Sequence, residues 1–242
     1  MIDRPTLIAR AAKDPKQHLG RRSLKLLHSY LTGYDRACLS LQIPTPHDPL
    51  DHELFQNWVY EKLGGRFSVS AFCYAELVSA DESEALDTYI AFRKEVLSQV
   101  GSQPAPAPVL TPDVSAINVF GDLVRIHKRP AMYFGNHWSL TNLWAYFRGY
   151  IWFERDCGVE LSKNVQVLNG FQQWMETRYP FGAGVPWDRI MHFSSLGSPK
   201  ISMDSFIKHL DEYQRSQPDS AMDPKSKEII ANILSAKESE QT

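Results

Sequence analysis

The sequence predicts a mainly α-helical protein made of two tandem pseudo-repeats of about four helices each, joined by a Pro/Ala-rich linker. Three observations support this fold class. The segment 23–34 (SLKLLHSYLTGY) recurs at 139–150 (SLTNLWAYFRGY), 116 residues later. Apolar residues in both halves recur at steps of three and four, which is the period of an amphipathic helix. Between the halves, residues 101–108 (GSQPAPAP) have the composition of an extended linker.

Further landmarks recur at nearly the same shift. The pairs are FQxW at 55–58 and 171–174 (shift 116), Pro15 with Gly20 over Pro130 with Gly135 (shift 115), and LDTYI at 86–90 over MDSFI at 203–207 (shift 117). Landmarks in one order at an almost constant shift indicate a duplicated unit of roughly 95 residues. The chain therefore divides into a first helical repeat (1–100), the Pro-rich linker (101–116), a second helical repeat (117–213) and a polar tail (214–242).

The first repeat contains four predicted helices. Ser23 is a suitable N-cap for the first, which runs to about residue 39 with its apolar side chains on one face. Asp48 is the predicted N-cap of the second, with Pro49 at its first position. The third covers about 69–79. The fourth follows 81–84 (DESE), where an aspartate is followed three residues later by a glutamate.

The second repeat is predicted to follow the same plan. Its loop 129–135 (RPAMYFG) precedes the helix that begins at Ser139. We expect the side chains of 132–134 to fill the core and the two ends of the loop to set its bend. In the tail, Lys225 to Ala236 is amphipathic and is expected to dock as a terminal helix.

Two glycines lie at the same position of the two related helices. Glycine inside a helix costs about 1 kcal/mol relative to alanine. We therefore predict that Gly33 and Gly149 each let another backbone approach closely. The other positions to which we assign a structural role, as caps, turns or apolar anchors of the repeat, are Ser23, Tyr34, Trp58, Pro130, Tyr133, Gly135, Ser139, Tyr150, Trp174 and Trp187.

Composition and charge limit the classes of function. The 242 residues are 43% hydrophobic and carry a net charge of −2, so no global charge favours nucleic acid or an anionic membrane. Three cysteines without a CxxC pair disfavour a disulfide framework and a zinc cluster. We expect no cofactor and no metal. The first residues resemble neither a signal peptide nor a membrane span, which predicts a cytoplasmic protein.

Catalytic motifs are missing from the sequence. It contains no HExxH, GxSxG, Walker loop or GxGxxG, and its eight histidines are scattered. The sequence therefore predicts a protein that is not an enzyme. Two alternatives stay open: an enzyme of unrecognised class with a pocket between the repeats, around His127, His137 and Asp188, and a structural or regulatory dimer module.

The second half carries a set of motifs that resembles a known family. RPAMYFG, SLTNLWAYFRGY, FQQWM, the tryptophan at 187 and the closing DSFIKHLDEY (204–213) resemble small bacterial immunity proteins encoded beside polymorphic and type VI secretion toxins. The resemblance covers nearly all of 120–213, with the first half as a diverged second copy. It implies an antitoxin that binds and occludes a cognate, nuclease-like toxin without catalysis, as a monomer or homodimer.

Candidate toxin-contact residues follow from the chemistry of such a partner. A nuclease groove is typically basic, so acidic and aromatic surface side chains would complement it. The alternative interpretation makes the acidic residues helix caps and the aromatic ones core. The candidates are Glu76, Asp81, Glu82 and Glu84 in the acidic tip, Trp138, Trp152 and Phe153 among the aromatics, and Phe181 with Val185 in the apolar loop of the second half.

Overall fold

The computed structural model describes residues 2–50, 52–62, 64, 70–100, 118–135, 138–158, 160–179, 184–218 and 223–240. Within these ranges the chain forms thirteen helices and no strand, so the mainly α-helical class is confirmed. They are α1 (Arg4–Lys13), α2 (Pro15–Leu19), α3 (Leu24–Ser40), α4 (His52–Lys62), α5 (Ala71–Val78), α6 (Glu82–Val100), α7 (Leu123–Lys128), α8 (Pro130–Phe134), α9 (Leu140–Asp156), α10 (Lys163–Arg178), α11 (Trp187–Ser194), α12 (Pro199–Ser216) and α13 (Pro224–Glu240). The predicted linker, 101–116, together with His137 and Phe181, lies outside the described residues.

The long helices α3 and α9 pack directly on each other at the centre of the molecule. The Ser23 hydroxyl caps α3 by accepting from the Leu26 amide. At α9, Asn142 Oδ1 accepts from the Ser139 amide at 2.9 Å. Each helix thus starts at the serine that the sequence marks as its cap. At α3 the serine side chain accepts from an amide of the first turn, and at α9 the asparagine side chain accepts from the amide of the serine itself.

The two helices cross where their glycines meet. A Cβ added at Gly33 would lie 2.0 Å from the carbonyl oxygen of Tyr146. A Cβ added at Gly149 would lie 2.2 Å from the carbonyl oxygen of Tyr30. The prediction that both glycines permit a close backbone approach is therefore confirmed. The contact is reciprocal, since Tyr146 follows Tyr30 by the same 116 residues that separate the glycines.

The bounds of several helices agree with the shift seen in the sequence. α9 begins and ends 116 residues after α3 (24 to 140, 40 to 156), and α11 does so after α5 (71 to 187, 78 to 194). α8 begins and ends 115 residues after α2 (15 to 130, 19 to 134). The short helices also cross between the halves, because α2 packs on α9 and α8 packs on α3.

Two ion pairs fasten the start of each half to the long helix of the other. Arg10 on α1 holds both carboxylate oxygens of Asp156 at the end of α9, at 2.7 and 2.6 Å. Arg36 on α3 holds Asp122, before α7, at 2.9 and 2.6 Å. Paired bonds of this kind fix orientation as well as charge. Chain segments far apart in sequence are therefore held in one helical body.

The predicted count of about four helices per repeat is too low, because six of the described helices lie within 1–100 and six more begin within 117–213. The segment 129–135, predicted as a loop, contains the short helix α8.

Three local predictions also need correction, and one is confirmed. Asp48 does not cap a helix: α4 begins at His52, and Asp48 instead accepts from Arg93 at 2.6 Å. Met132 does not fill the core, because it is 73% exposed. The third helix begins at Ala71, after an N-cap at residue 70, so it is shorter than predicted. The terminal helix docks as predicted, through buried isoleucines at 230 and 233.

Candidate functional site

The first half carries an open cleft of about 1270 Å³ between α3, α5 and the segment 44–50. Its apolar lining includes Leu31, Phe55 and Phe72 from the first half. Phe134 and Gly135, at the end of α8, contribute a wall from the second half. Its volume exceeds the range of about 300–1,000 Å³ that is usual for small-molecule pockets, so it has room for a larger occupant.

The charged groups of the cleft come in pairs. Arg4 binds Asp35, which places both side chains between α1 and α3. Burial raises the pKa of Asp35, although Arg4 opposes that shift. Deeper in the first half, Arg93 binds Asp48 at 2.6 Å and is only 6% exposed. Because each guanidinium faces a carboxylate, these walls carry little net charge.

An imidazole lies among aromatic rings in the same cleft. The His28 ring meets Phe72 edge-on, with centroids 5.1 Å apart. Phe72 in turn stacks on Tyr89 at 4.5 Å. The surrounding walls desolvate the His28 ring and lower its pKa, although the residue remains exposed at the cleft opening. The exposed thiol of Cys73 also lines the cleft.

A much smaller pocket, of about 210 Å³, occupies the related place in the second half. Seven of its eleven lining residues follow a lining residue of the large cleft by 116 positions. The pairs are His28 and Trp144, Leu31 and Phe147, Thr32 and Arg148, Asp35 and Ile151, Gln56 and Gln172, Ser70 and Pro186, and Ala71 and Trp187.

The larger side chains of the second half explain the difference in volume. The Trp144 ring lies against Gly20, where an added Cβ would be 3.3 Å from its Cζ3 atom. The Arg148 guanidinium donates to the Gln17 carbonyl at 2.8 Å. Arg189 donates to the Gly20 carbonyl at 3.1 Å. Tryptophan and arginine thus close a space that stays open in the first half.

The predicted acidic tip acts mainly within the fold. Glu82 accepts from the Ser23 hydroxyl at 2.7 Å and pairs with Lys25 at 2.7 Å, so it supports the start of α3. Burial alone would raise the pKa of Glu82, but the bonds from Lys25 and Ser23 outweigh it and the net shift is downward. Asp81 accepts from the amides of residues 83 and 84 as the cap of α6. Glu84 accepts from the amide of residue 80.

Glu76 differs from the rest of the acidic tip because it lines the cleft. It also contacts Lys25, at 3.5 Å. Among the predicted contact residues that the structure describes, Glu76 is the one that belongs to the cleft lining.

The predicted aromatic contacts separate into half-buried and buried side chains. Phe153 is 0% exposed and meets Tyr34 edge-on, so it cannot touch a partner. Trp152 is half-buried, with its ring 4.2 Å from that of His18. Trp138 and Val185 are also half-buried and pack against the core. The structure therefore leaves Trp138, Trp152 and Val185 partly accessible.

Sequence reasoning missed three exposed apolar side chains near the junction of α11 and α12. Phe193 is 68% exposed, Leu196 97% and Ile201 56%. Leu196 also has a left-handed backbone, with φ of 49°. The signal lay in the sequence: the segment 193–201 (FSSLGSPKI) stands where the first half has its acidic tip.

Of the residues of the enzyme alternative, His127 and Asp188 line neither the cleft nor the small pocket, and His137 lies outside the described residues. His127 approaches Asp204 at 3.4 Å. Asp188 is 2% exposed, and burial raises its pKa. In the described ranges, no group of three or more histidine, cysteine, aspartate or glutamate side chains could hold a metal ion. None of the described helices combines the length and apolar content needed to span a membrane.

Comparison of the chain with protein-family models, with curated proteins and with solved structures finds no match. Function is therefore inferred from the residues and the geometry described above.

Proposed function

We propose that the chain is an immunity protein that binds a cognate secreted toxin, a nuclease-like type VI effector, and occludes it without catalysis. The motifs of 120–213 that resemble immunity proteins support this. Pro130 and Gly135 bound α8, Gly149 lies at the helix crossing and Trp187 is 3% exposed. The motif residues thus serve the fold, which suits a protein that acts through its surface in the cytoplasm of the producing cell.

The proposal includes an origin by tandem duplication. The reciprocal glycine contacts and the matched helix bounds support it. So do related ring pairs, since Phe55 and Trp58 lie 6.1 Å apart and Phe171 and Trp174 lie 6.0 Å apart. A cation stands 4.9 Å over the tryptophan ring in both places.

The observation that carries the proposal is the open cleft of the first half. A cleft of this volume with a mixed lining can enclose a segment of another protein, whereas a flat surface could contact only one side of it. The glutamate at 76 adds an acidic group to the lining, as expected for contact with a basic nuclease surface. A partner docked there would cover the cleft and the neighbouring acidic tip.

Co-expression with the product of the adjacent gene tests this function. We expect a stable complex on gel filtration and protection of cells from that product. Replacing Cys157 or His127, which lie outside the cleft lining, by alanine should leave protection intact, because the activity requires no nucleophile or base. Failure of the purified protein to bind and inhibit the neighbouring product would refute the proposal.

A second candidate function is an enzyme or small-molecule binder that uses the cleft. Specific support comes from the cleft itself, which takes wall residues from both halves and holds the imidazole of His28. A screen for co-purifying small molecules and metals by mass spectrometry separates the two functions. A stoichiometric ligand would favour the second.

The exposed apolar side chains between residues 193 and 201 suggest self-association as a further property. Three large apolar side chains are each more than half exposed to water: Phe193, Leu196 and Ile201. Contact with a second copy would remove apolar surface from water. Light scattering distinguishes monomer from homodimer, and Phe193→Ser should shift a dimer toward monomer.

A further inference from the structure

We propose that the cleft of the first half receives a basic and aromatic segment of the partner, with an aromatic ring and a guanidinium about one helical turn apart. The identity of the partner as a toxin rests on the proposed function, but the chemistry of the segment comes from the molecule itself. The second half shows which groups fill the same kind of space.

The filled pocket provides the template. On α9, Trp144 and Arg148 are four residues apart, and the guanidinium lies 5.4 Å from the indole centroid. The indole covers Gly20, and Arg148 donates to the Gln17 carbonyl of α2. A ring and a cation on one helix face thus close the space against the end of the short helix.

The open cleft lacks both groups. His28 and Thr32 stand at the positions of the tryptophan and the arginine, 116 residues earlier. The Thr32 hydroxyl donates to the His28 carbonyl of its own helix, so it does not reach α8. The glycine related to Gly20 is Gly135, where an added Cβ would meet no atom of the described residues within 4 Å.

The far wall is correspondingly open. Met132 is related to Gln17 by the shift of 115 and is 73% exposed, whereas the Gln17 carbonyl is bonded by Arg148. Cys73 stands at the position of Arg189, which in the second half donates to Gly20. The indole and the arginine that line the filled pocket, and the neighbouring Arg189, therefore have smaller or neutral counterparts at the open cleft.

The remaining walls match such an occupant. Phe72 offers an aromatic face beside the space for the ring. Glu76 lines the cleft with a side chain that is 36% exposed and lies as far as 3.5 Å from Lys25, so its carboxylate can also receive a cation. A purely apolar ligand would contact the aromatic face and offer the carboxylate no further cation. A segment with both groups uses both, and aromatic and arginine side chains are the strongest anchors of protein interfaces.

The test closes the cleft with the second half's own residues. The variant His28→Trp/Thr32→Arg rebuilds the filling pair on α3. A matched control, Gln173→Trp/Thr177→Arg, adds the same pair four residues apart at exposed positions of α10. Thermal unfolding establishes that both fold; His28→Trp alone and Cys73→Arg alone serve as milder closures.

The probe is a capped, alanine-rich helical peptide that carries Trp and Arg four residues apart, titrated by calorimetry. We expect saturable binding to the wild type and the control. Binding to the closed variant, or of a Trp→Ala peptide to the wild type, should be weaker by about 30-fold or more, the loss of one anchor. No binding to the wild type up to millimolar peptide, or equal binding to the closed variant, overturns the proposal.

The adjacent gene's product is then titrated against the same proteins. A similar loss with the closed variant supports docking of the toxin in the cleft. Equal affinity for wild type and closed variant overturns toxin docking there while leaving the proposed function intact. If that product binds neither protein but the peptide binds the wild type alone, the proposed function fails and the cleft site stands.

Discussion

Replacement of Gly33 by alanine tests the crossing of the two long helices. The added Cβ would lie 2.0 Å from the Tyr146 carbonyl oxygen and 2.8 Å from its carbonyl carbon. Non-bonded heavy atoms prefer about 3.5 Å, so α9 must retreat by about 1.5 Å at this point. The obstacle is backbone on both sides, and no side-chain rotation relieves it.

The magnitude follows from two opposed terms. Alanine in place of glycine favours a helix by about 1 kcal/mol. Overpacking a core typically costs about 1–3 kcal/mol, and this contact lies at the severe end because it separates the central helix pair. We therefore expect Gly33→Ala to lower the free energy of unfolding by about 2 kcal/mol or more. Gly149→Ala should act alike, through the Tyr30 carbonyl at 2.2 Å.

Urea unfolding followed by circular dichroism measures the effect. Gly170→Ala is the matched control: it is also inside a helix, but its Cβ meets only the hydroxyl end of Tyr213, which can move. The double variant Gly33→Ala/Gly149→Ala should cost less than the sum of the single changes, because the first already separates the helices. A Gly33→Ala protein as stable as the wild type would refute the reasoning.

Three further predictions concern pH and strain. Burial, with Arg10 nearby, lowers the pKa of His18 to about 4. The free energy of unfolding should therefore fall by about 3 kcal/mol as the pH drops from 6.5 to 4. In acid titrations, His18→Phe should abolish this fall. Burial alone would raise the pKa of Asp122, but the hydrogen bonds from Arg36 and another side chain lower it overall. The ionised carboxylate therefore stabilises the fold above pH 4, and this contribution is lost below pH 4. Asp122→Asn should lower the free energy of unfolding by about 1–3 kcal/mol at pH 7 and by much less at pH 2. Leu196→Gly should raise the melting temperature slightly, since glycine relieves the left-handed backbone at φ 49°, and a lower melting temperature would contradict this.

Local sequence patterns predicted much of the fold. The serines before the two long helices cap them, and the shared glycines mark where their backbones touch. Capping and helix periodicity depend on residues within one or two turns, so they are legible without coordinates. The acidic tip was equally predictable: the spacing of its aspartate and glutamate is that of a helix cap, and the aspartate accepts from the glutamate's amide.

Burial of individual side chains required the tertiary structure. Trp152 and Phe153 are neighbours with similar chemistry, yet only the second is fully buried. Met132 belongs to an apolar run and is nevertheless exposed. Which side of a short helix faces the core depends on partners more than 100 residues away, such as α9 for α2.

By itself, the sequence determined the helical class and showed segments that recur about 116 residues apart, because these follow from local periodicity and from comparison of the chain with itself. Only the tertiary structure decided that one half has an open cleft where the other is filled. The volume of a cavity depends on how far side chains such as Trp144 and His28 reach across to another helix, and no local pattern encodes that distance.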